Sequence, residues 1–315
     1  MDLMDKTTLA RNIMLVEAAR EACAAAYNAG IPVIMLKGAA LLEQGICRLD
    51  ERQMTDVDLL VKPGDLEAFE KLVSDLGYGP LDSSSQAWHK ILSPEAPPLI
   101  IDVHTGLRHV KDAAGLWKTA VETPAGKHVL VSDLPDQFLH LAAHTLLHHG
   151  RLEDRTLRDL ARLLEYAYRD TRGEPLLRCP PVAQSPARGA ARTRFWLETA
   201  SLSDLYALSP AVHPVLERLA SAHPGLAGAG ELVRFEPRGL GKIKRRFFEK
   251  AARRHSNFLE YFLPVLYRPG LFISGLFPGG KFLKRRYGRD SWTNRFRRPF
   301  QLLRNIFIPH PSRKV

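Results

Sequence analysis

The stretch MTDVDLLV, Met54 to Val61, restricts the fold more than any other part of the chain. VDLLV is an apolar run of strand length, and acids at the mouth of such a run do not serve stability. Residues i and i+2 of a strand share a face, so the spacing predicts that Asp56 and Asp58 project together while Val57 points away. Two carboxylates that close repel each other unless a cation lies between them. A hard divalent ion, Mg²⁺ or Mn²⁺, takes oxygen ligands and keeps waters and phosphates in its shell. LIIDVH supplies a further acid, Asp102, after another apolar strand run. On a strand neighbouring the first, Asp102 would complete a two-metal site for in-line phosphoryl displacement.

The upstream stretch VIMLKGAALL reads as strand, tight turn and helix. Gly38 allows close backbone approach to a phosphate, and Lys37 at the turn is either a phosphate contact or a surface charge. TTLARNIMLVEAAREACAAAYNAG has helical spacing, with Gly30 as its stop. KPGDLEAFEKLVSDLGYG reads as helix, AWHKILS and LIIDVH as strands, AGLWKTAVE as a short helix and GKHVLVSD as the last strand. This alternation predicts an α/β or α+β domain to about residue 133. Beyond it, LPDQFLHLAAHTLLHHG and RTLRDLARLLEYAYRD are helical, and GEPLLRCPPVAQSPARGA is a connection. Further helices are expected around Thr193–Leu208 and Ala211–Ala222.

These residues resemble the nucleotidyltransferase superfamily with the polymerase-β-like core: strand, Gly turn, helix, Asp-x-Asp on the next strand, and a third acid later. The spelling LKGAALL…RQMTDVDLLV…DLEAFEKLVSDLGY…IDVH resembles the bacterial uncharacterised nucleotidyltransferases over roughly residues 15–170. LHLAAHTLLHHG and LRDLARLL fit that family's helical half, and LFPGGKFLKRRYG resembles its tail more loosely. The resemblance implies an α+β fold, a nucleotidyltransferase-type mixed sheet with flanking helices, followed by a helical domain and a basic C-terminal extension. Its expected parts are residues 1–133, 134–233 and 234–315.

The implied activity is Mg²⁺- or Mn²⁺-dependent transfer of NMP from an NTP, ATP by default, to a hydroxyl-bearing acceptor. That acceptor would be a sugar, an antibiotic-like small molecule, a peptide or a protein side chain. The implied catalytic and metal-holding residues are Asp56, Asp58 and Asp102. Lys37 and Gly38 would cradle the β- and γ-phosphates, and Arg52 matches an arginine position of the family. Where the superfamily usually has Gly-Ser or Gly-Gly, this chain has Gly38-Ala39, so Lys37 is expected to replace the missing hydroxyl. The rival expectation is a non-catalytic relative that docks at an anionic membrane surface or a partner through its basic tail.

His140, His144 and His148 are spaced i, i+4, i+8 on one helix face. No Glu follows the first in the HExxH manner. A metal site, a polar wall of the cleft and plain packing stay open. His104 either touches substrate or pairs with a carboxylate, and Asp159 anchors a histidine or a neighbouring arginine.

The net charge of +11 is uneven. From Arg234 to Val315 there are 21 Lys/Arg against 4 Asp/Glu, a net of +17, while the first 233 residues carry −6. With YFLPVLY and GLFISGLF interleaved, the basic part is expected to meet an anionic membrane surface first, with nucleic acid the weaker alternative. No apolar run reaches the ~18 residues of a spanning helix. The N-terminus lacks a secretory pattern and three cysteines are too sparse for a disulfide framework, so the expected location is cytoplasmic, peripheral at the inner membrane face.

Overall fold

A computed structural model describes residues 3–81, 86–107, 110, 113–123, 126–168, 186–253, 291 and 293. The tail segments YFLPVLY, GLFISGLF and LFPGGKFLKRRYG, and the connection up to residue 185, lie outside the described residues. The chain divides into two compact units. The first takes in the residues up to Leu141 and from Arg158 to Tyr206, and the second Ala142–Leu157 and the residues from Ala207 on.

In the first unit, α1 (Leu3–Asn28) leads through Gly30, in the left-handed region at φ 74°, into β1 (Val33–Leu36). α2 (Lys37–Glu43), β2 (Val57–Val61) and α3 (Leu66–Asp75) follow. Next come β3 (Gly79–Pro80), β4 (Ala87–Lys90), β5 (Leu99–His104) and α4 (Ala114–Thr119). β6 (Val121–Thr123) and β7 (Gly126–Val131) complete the strands, before α5 (Leu134–His149), α6 (Asp154–Ala167) and α7 (Pro186–Leu205). α5 and α6 each contribute residues to both units. α8 (Ser209–Ala222), α9 (Ala229–Arg234) and α10 (Leu240–Arg253) belong to the second unit.

The described strands form a mixed seven-stranded sheet in the order β3-β4-β5-β2-β1-β7-β6. β1 pairs antiparallel with β2 and parallel with β7, and β2 pairs parallel with β5. The central strand β2 is buried at every position, as expected where helices cover a sheet. The expected α+β class is therefore what the chain builds.

Two short strands escape the sequence pattern. AGLWKTAVE does not stay helical to its end: Ala120 turns extended and Val121–Thr123 pairs with β7. Two β-branched residues with a partner strand outweigh the helical spacing before them. β3 is only Gly79–Pro80, at the sheet edge, where a proline is tolerated. Cys23 and Cys47 are buried free thiols, and Cys179 lies outside the described residues.

α1 does more than cover the sheet. The Asn12 amide donates to the carbonyls of Leu49 and Arg52, 2.6 Å each, and its Oδ1 accepts the Met54 N–H at 3.2 Å. Arg11 donates to the carbonyls of Thr55, Pro97 and Pro98. Adjacent residues of one helix thus hold the loops that enter β2 and β5.

α5 begins with an acid pair. Asp133 Oδ1 accepts the Asp136 N–H at 2.9 Å, as an N-cap does. Asp136 is buried, accepting bonds from Thr119 (3.1 Å) and Tyr206 (3.2 Å). Burial pushes the Asp133 carboxyl up to about 7, and the charges of Asp136 and Glu198 add to the rise. The folded state then holds a proton that the unfolded chain releases near pH ~4. Stability should fall as pH rises from about 4 to about 7. Burial raises Asp136 as well, so the two carboxyls titrate as a pair. Asp133→Asn keeps a capping oxygen and takes one of the two out of that titration, so denaturation midpoints across that range should slope less steeply than in the wild type. An unchanged slope would refute the assignment.

Candidate active site

The site grows from the register of the three central strands. Leu36, the last residue of β1, lies opposite Asp58, and Asp58 lies opposite Asp102 of β5. Parallel pairing of β2 with β5 therefore brings Asp58 and Asp102 side by side. Asp58, Asp102 and His104 form a cluster whose ligand atoms all lie within 4.8 Å of one another. Asp56 stands one residue before β2, half-buried, and its Oδ1 accepts the Thr55 hydroxyl at 3.0 Å. It is not part of that cluster, and β2 begins only at Val57.

Lys37 turns the chain from β1 into α2 at φ 48°. The left-handed region costs a residue with a Cβ about 1–2 kcal/mol. That turn places Nζ 2.6 Å from Asp58 Oδ1. His104 Nε2 approaches the same oxygen at 2.8 Å and Asp102 Oδ2 at 3.4 Å. An ionised carboxylate only accepts, so Nε2 carries the proton in the Asp58 bond.

The two acids are driven apart in ionisation. Burial works against charge on Asp58, but the His104 hydrogen bond and the Lys37 ammonium hold its carboxyl down at about 2. Burial raises Asp102; Asp58 and Asp56 add to the rise, while His104 and Lys37 oppose it. One acid is thus fixed as an anion and the other pushed toward accepting a proton, a split characteristic of acid–base pairs.

Gly38 has a reason within the protein itself. A Cβ there would meet Arg52 Nη1 at 2.1 Å and Met54 Sδ at 2.9 Å. The Arg52 guanidinium lies over the Gly38 backbone, clamped by Asp159 with Nε bonds of 3.2 and 3.1 Å and an Nη2 contact of 3.1 Å. Asp159 anchors an arginine, then, and Arg162 pairs with Glu51 at 2.5 Å.

Beside Lys37 a small pocket is lined by Leu107, Leu116, Ser132, Gln137 and His140. Gln137 Nε2 donates to Ser132 O and Gln44 Oε1, whereas its buried Oε1 has no hydrogen-bond partner among the described residues. Of the spaced histidines, His140 lines this pocket, and His144 and His148 gather instead with His149. Gln137 and the Arg11–Asn12 pair were not foreseen from the sequence. The available signal was the polar Asn12 amid the apolar spacing of α1, since a buried polar side chain needs partners.

Gly38→Ala should destabilise the fold by about 1–3 kcal/mol, the usual range for overpacking. The loss should shrink in an Arg52→Ala background, because the clash and the clamp share one guanidinium. A double-mutant cycle by urea denaturation reads this directly; additive losses would show that Gly38 and Arg52 are not coupled.

No curated protein and no solved structure matches the chain. The model of a family described as "Uncharacterised nucleotidyltransferase" matches residues 3–178. That span is more than half of the chain and contains α1, the whole sheet, the Lys37-Gly38 turn and the Asp58–Asp102–His104 cluster, so the chain belongs to that family of nucleotidyltransferases.

Proposed function

We propose that this protein transfers a nucleoside monophosphate from an NTP, with ATP the first candidate, to a hydroxyl-bearing acceptor. The observation that carries the proposal is the in-register pair Asp58–Asp102, one acid held ionised and the other raised, with Lys37 at its edge. The donor set suits a hard divalent ion, and the Lys37 ammonium 2.6 Å from Asp58 marks the spot as one that takes positive charge. Asp58 and Asp102 would hold Mg²⁺ or Mn²⁺, with Asp56 as a third carboxylate. When bound, the metal supplies Lewis-acid charge to the phosphates.

The chain's own groups do the rest. Asp102 takes the proton of the acceptor hydroxyl, whose oxygen attacks the α-phosphorus, and pyrophosphate departs. Lys37 exchanges part of its contact with Asp58 for a phosphate oxygen, in place of the hydroxyl absent from Gly38-Ala39. Arg52, braced by Asp159, adds fixed positive charge beside the turn. Gln137 Oε1 offers an acceptor to a ligand N–H or O–H in the pocket beside Lys37.

Asp58→Asn should abolish the binding of Mn²⁺ with ATP, read by electron paramagnetic resonance. Asp102→Asn should slow transfer by about 10²–10⁴-fold, the usual contribution of a general base. Lys37→Ala should weaken ATP binding more than adenosine binding in titration calorimetry. Wild-type levels of labelled product in extracts supplied with either aspartate variant would sink the catalytic reading and leave a non-catalytic relative.

A second reading concerns the tail. Val233, Leu240 and Ile243 are 74, 75 and 55 % exposed, and they sit among exposed Arg234, Arg238, Lys242, Arg246 and Lys250. Phe248, on the other side of α10, is fully buried. Basic residues close to an anionic bilayer contribute about 1 kcal/mol each, and the apolar side chains would enter the headgroup layer. Among the described residues no helix is long and apolar enough to cross a membrane, so contact would be peripheral. Lys242→Glu with Arg246→Glu and Lys250→Glu should weaken co-sedimentation with phosphatidylserine vesicles, and salt should weaken the wild type. Equal sedimentation with neutral vesicles would argue against this reading.

A further inference from the structure

The last turns of α5 gather three imidazoles. His144 and His148 are one helical turn apart and His149 is adjacent. Ring centroids are 4.7 Å apart for His144–His148, 5.0 Å for His144–His149 and 5.0 Å for His148–His149. The triangle is nearly equilateral. One ring nitrogen of each lies within 4.8 Å of the others. Three imidazoles around a tetrahedral ion with metal–nitrogen bonds of ~2.0–2.1 Å place their ring centroids ~5 Å apart. The spacing is therefore that of a three-histidine metal site.

We propose that His144, His148 and His149 bind a divalent transition ion of the zinc class, leaving one coordination position to water. The donor chemistry separates this ion from the one at the aspartates. Three neutral nitrogens favour zinc, nickel or copper, whereas carboxylate-rich sites suit magnesium and manganese. The location suits a cation too, since the last turn of a helix presents unpaired carbonyls and the negative end of its dipole.

The backbone under the cluster is fixed beforehand. Thr145 Oγ1 donates to Arg151 O at 2.8 Å, the Gly150 N–H reaches Leu146 O at 3.1 Å, and Gly150 takes φ 62° to end the helix. Ligation requires one adjustment. His144 and His148 are stacked with 21° between their planes, so their lone pairs do not meet at one point. His148 is exposed, and the proposal requires its ring to rotate about χ2 so that the third nitrogen faces the ion.

The test uses the untagged full chain, stripped with a chelator and titrated with Zn²⁺ by calorimetry. Co²⁺ absorption reports the coordination geometry. Wild type and Asp58→Asn should bind one Zn²⁺ with similar affinity and show the intense visible bands of tetrahedral Co²⁺. His148→Ala changes an exposed residue and should leave the fold intact; it should weaken binding at least ~10-fold, since outer partners of metal ligands already count for 10–100-fold. His144→Gln with His149→Gln should do the same, and in these variants Zn²⁺ should no longer raise the melting temperature. The proposal is overturned if His148→Ala binds Zn²⁺ like the wild type. It is equally overturned if Asp58→Asn loses all Zn²⁺ binding, because the ion would then belong to the acidic cluster.

Discussion

A carboxylate that is 7 % exposed in the middle of a seven-stranded sheet governs this molecule. Taking a lone anion out of water carries a penalty of several kcal/mol, so Asp58 is tolerable only with partners in place. Two strands supply them. β1 ends opposite Asp58 and delivers Lys37 through a left-handed turn, and β5 runs parallel alongside and delivers His104. The strained backbone at Lys37 is thereby explained locally: a right-handed residue there would send the side chain elsewhere and leave the anion half-compensated. Strain of this kind gathers where function is built.

A second layer of polar contacts keeps the loops around that anion in register. Arg11 and Asn12 satisfy backbone groups of residues 49–55 and 97–98, segments that have no sheet of their own to pair with. Buried backbone polar groups must find partners, and here α1 provides them. Arg20 makes a comparable brace, donating to the buried Glu43 of α2, which also accepts the Thr123 hydroxyl of β6. One helix thus ties together the entry to β2, the entry to β5, the end of α2 and an edge strand. The site residues sit on strands, but loops and α1 decide how those strands are approached.

Much of this was legible from spacing. The apolar runs of β1, β2 and β5, the glycine stop after α1 and the acids at Asp58 and Asp102 are visible because burial writes a period into the sequence. What was not legible depends on partners distant in the chain. Val121–Thr123 is a strand only because β7 lies beside it. That pairing with β5 begins at Val57, one residue after Asp56, is likewise set by the partner strand. The approach of His104 to Asp102 follows from their i, i+2 spacing on β5, but its contact with Asp58 needs the parallel register of β2 with β5. The Asn12 clamp and the Arg52–Asp159 pair join residues 37 or more positions apart, which a pattern of neighbours does not encode.

Gly38 shows how such a long-range partner changes the weight of a motif. By sequence, a glycine at a strand-to-helix turn argues for close approach of a phosphate. In the fold, the space a Cβ would need is taken by Arg52 and Met54, so a glycine suits the position with or without a ligand. Gly38 by itself therefore says little about nucleotide binding. Its consequence for chemistry is indirect: it lets a guanidinium held by Asp159 settle against the turn, next to the residue that carries Lys37. A fixed arginine, a lysine bound to an aspartate whose carboxyl is held low and a second aspartate raised by burial stand together there. Arg52 is held by Asp159 and Lys37 by Asp58, while for Asp102 burial and the neighbouring charges of Asp58 and Asp56 outweigh His104 and Lys37.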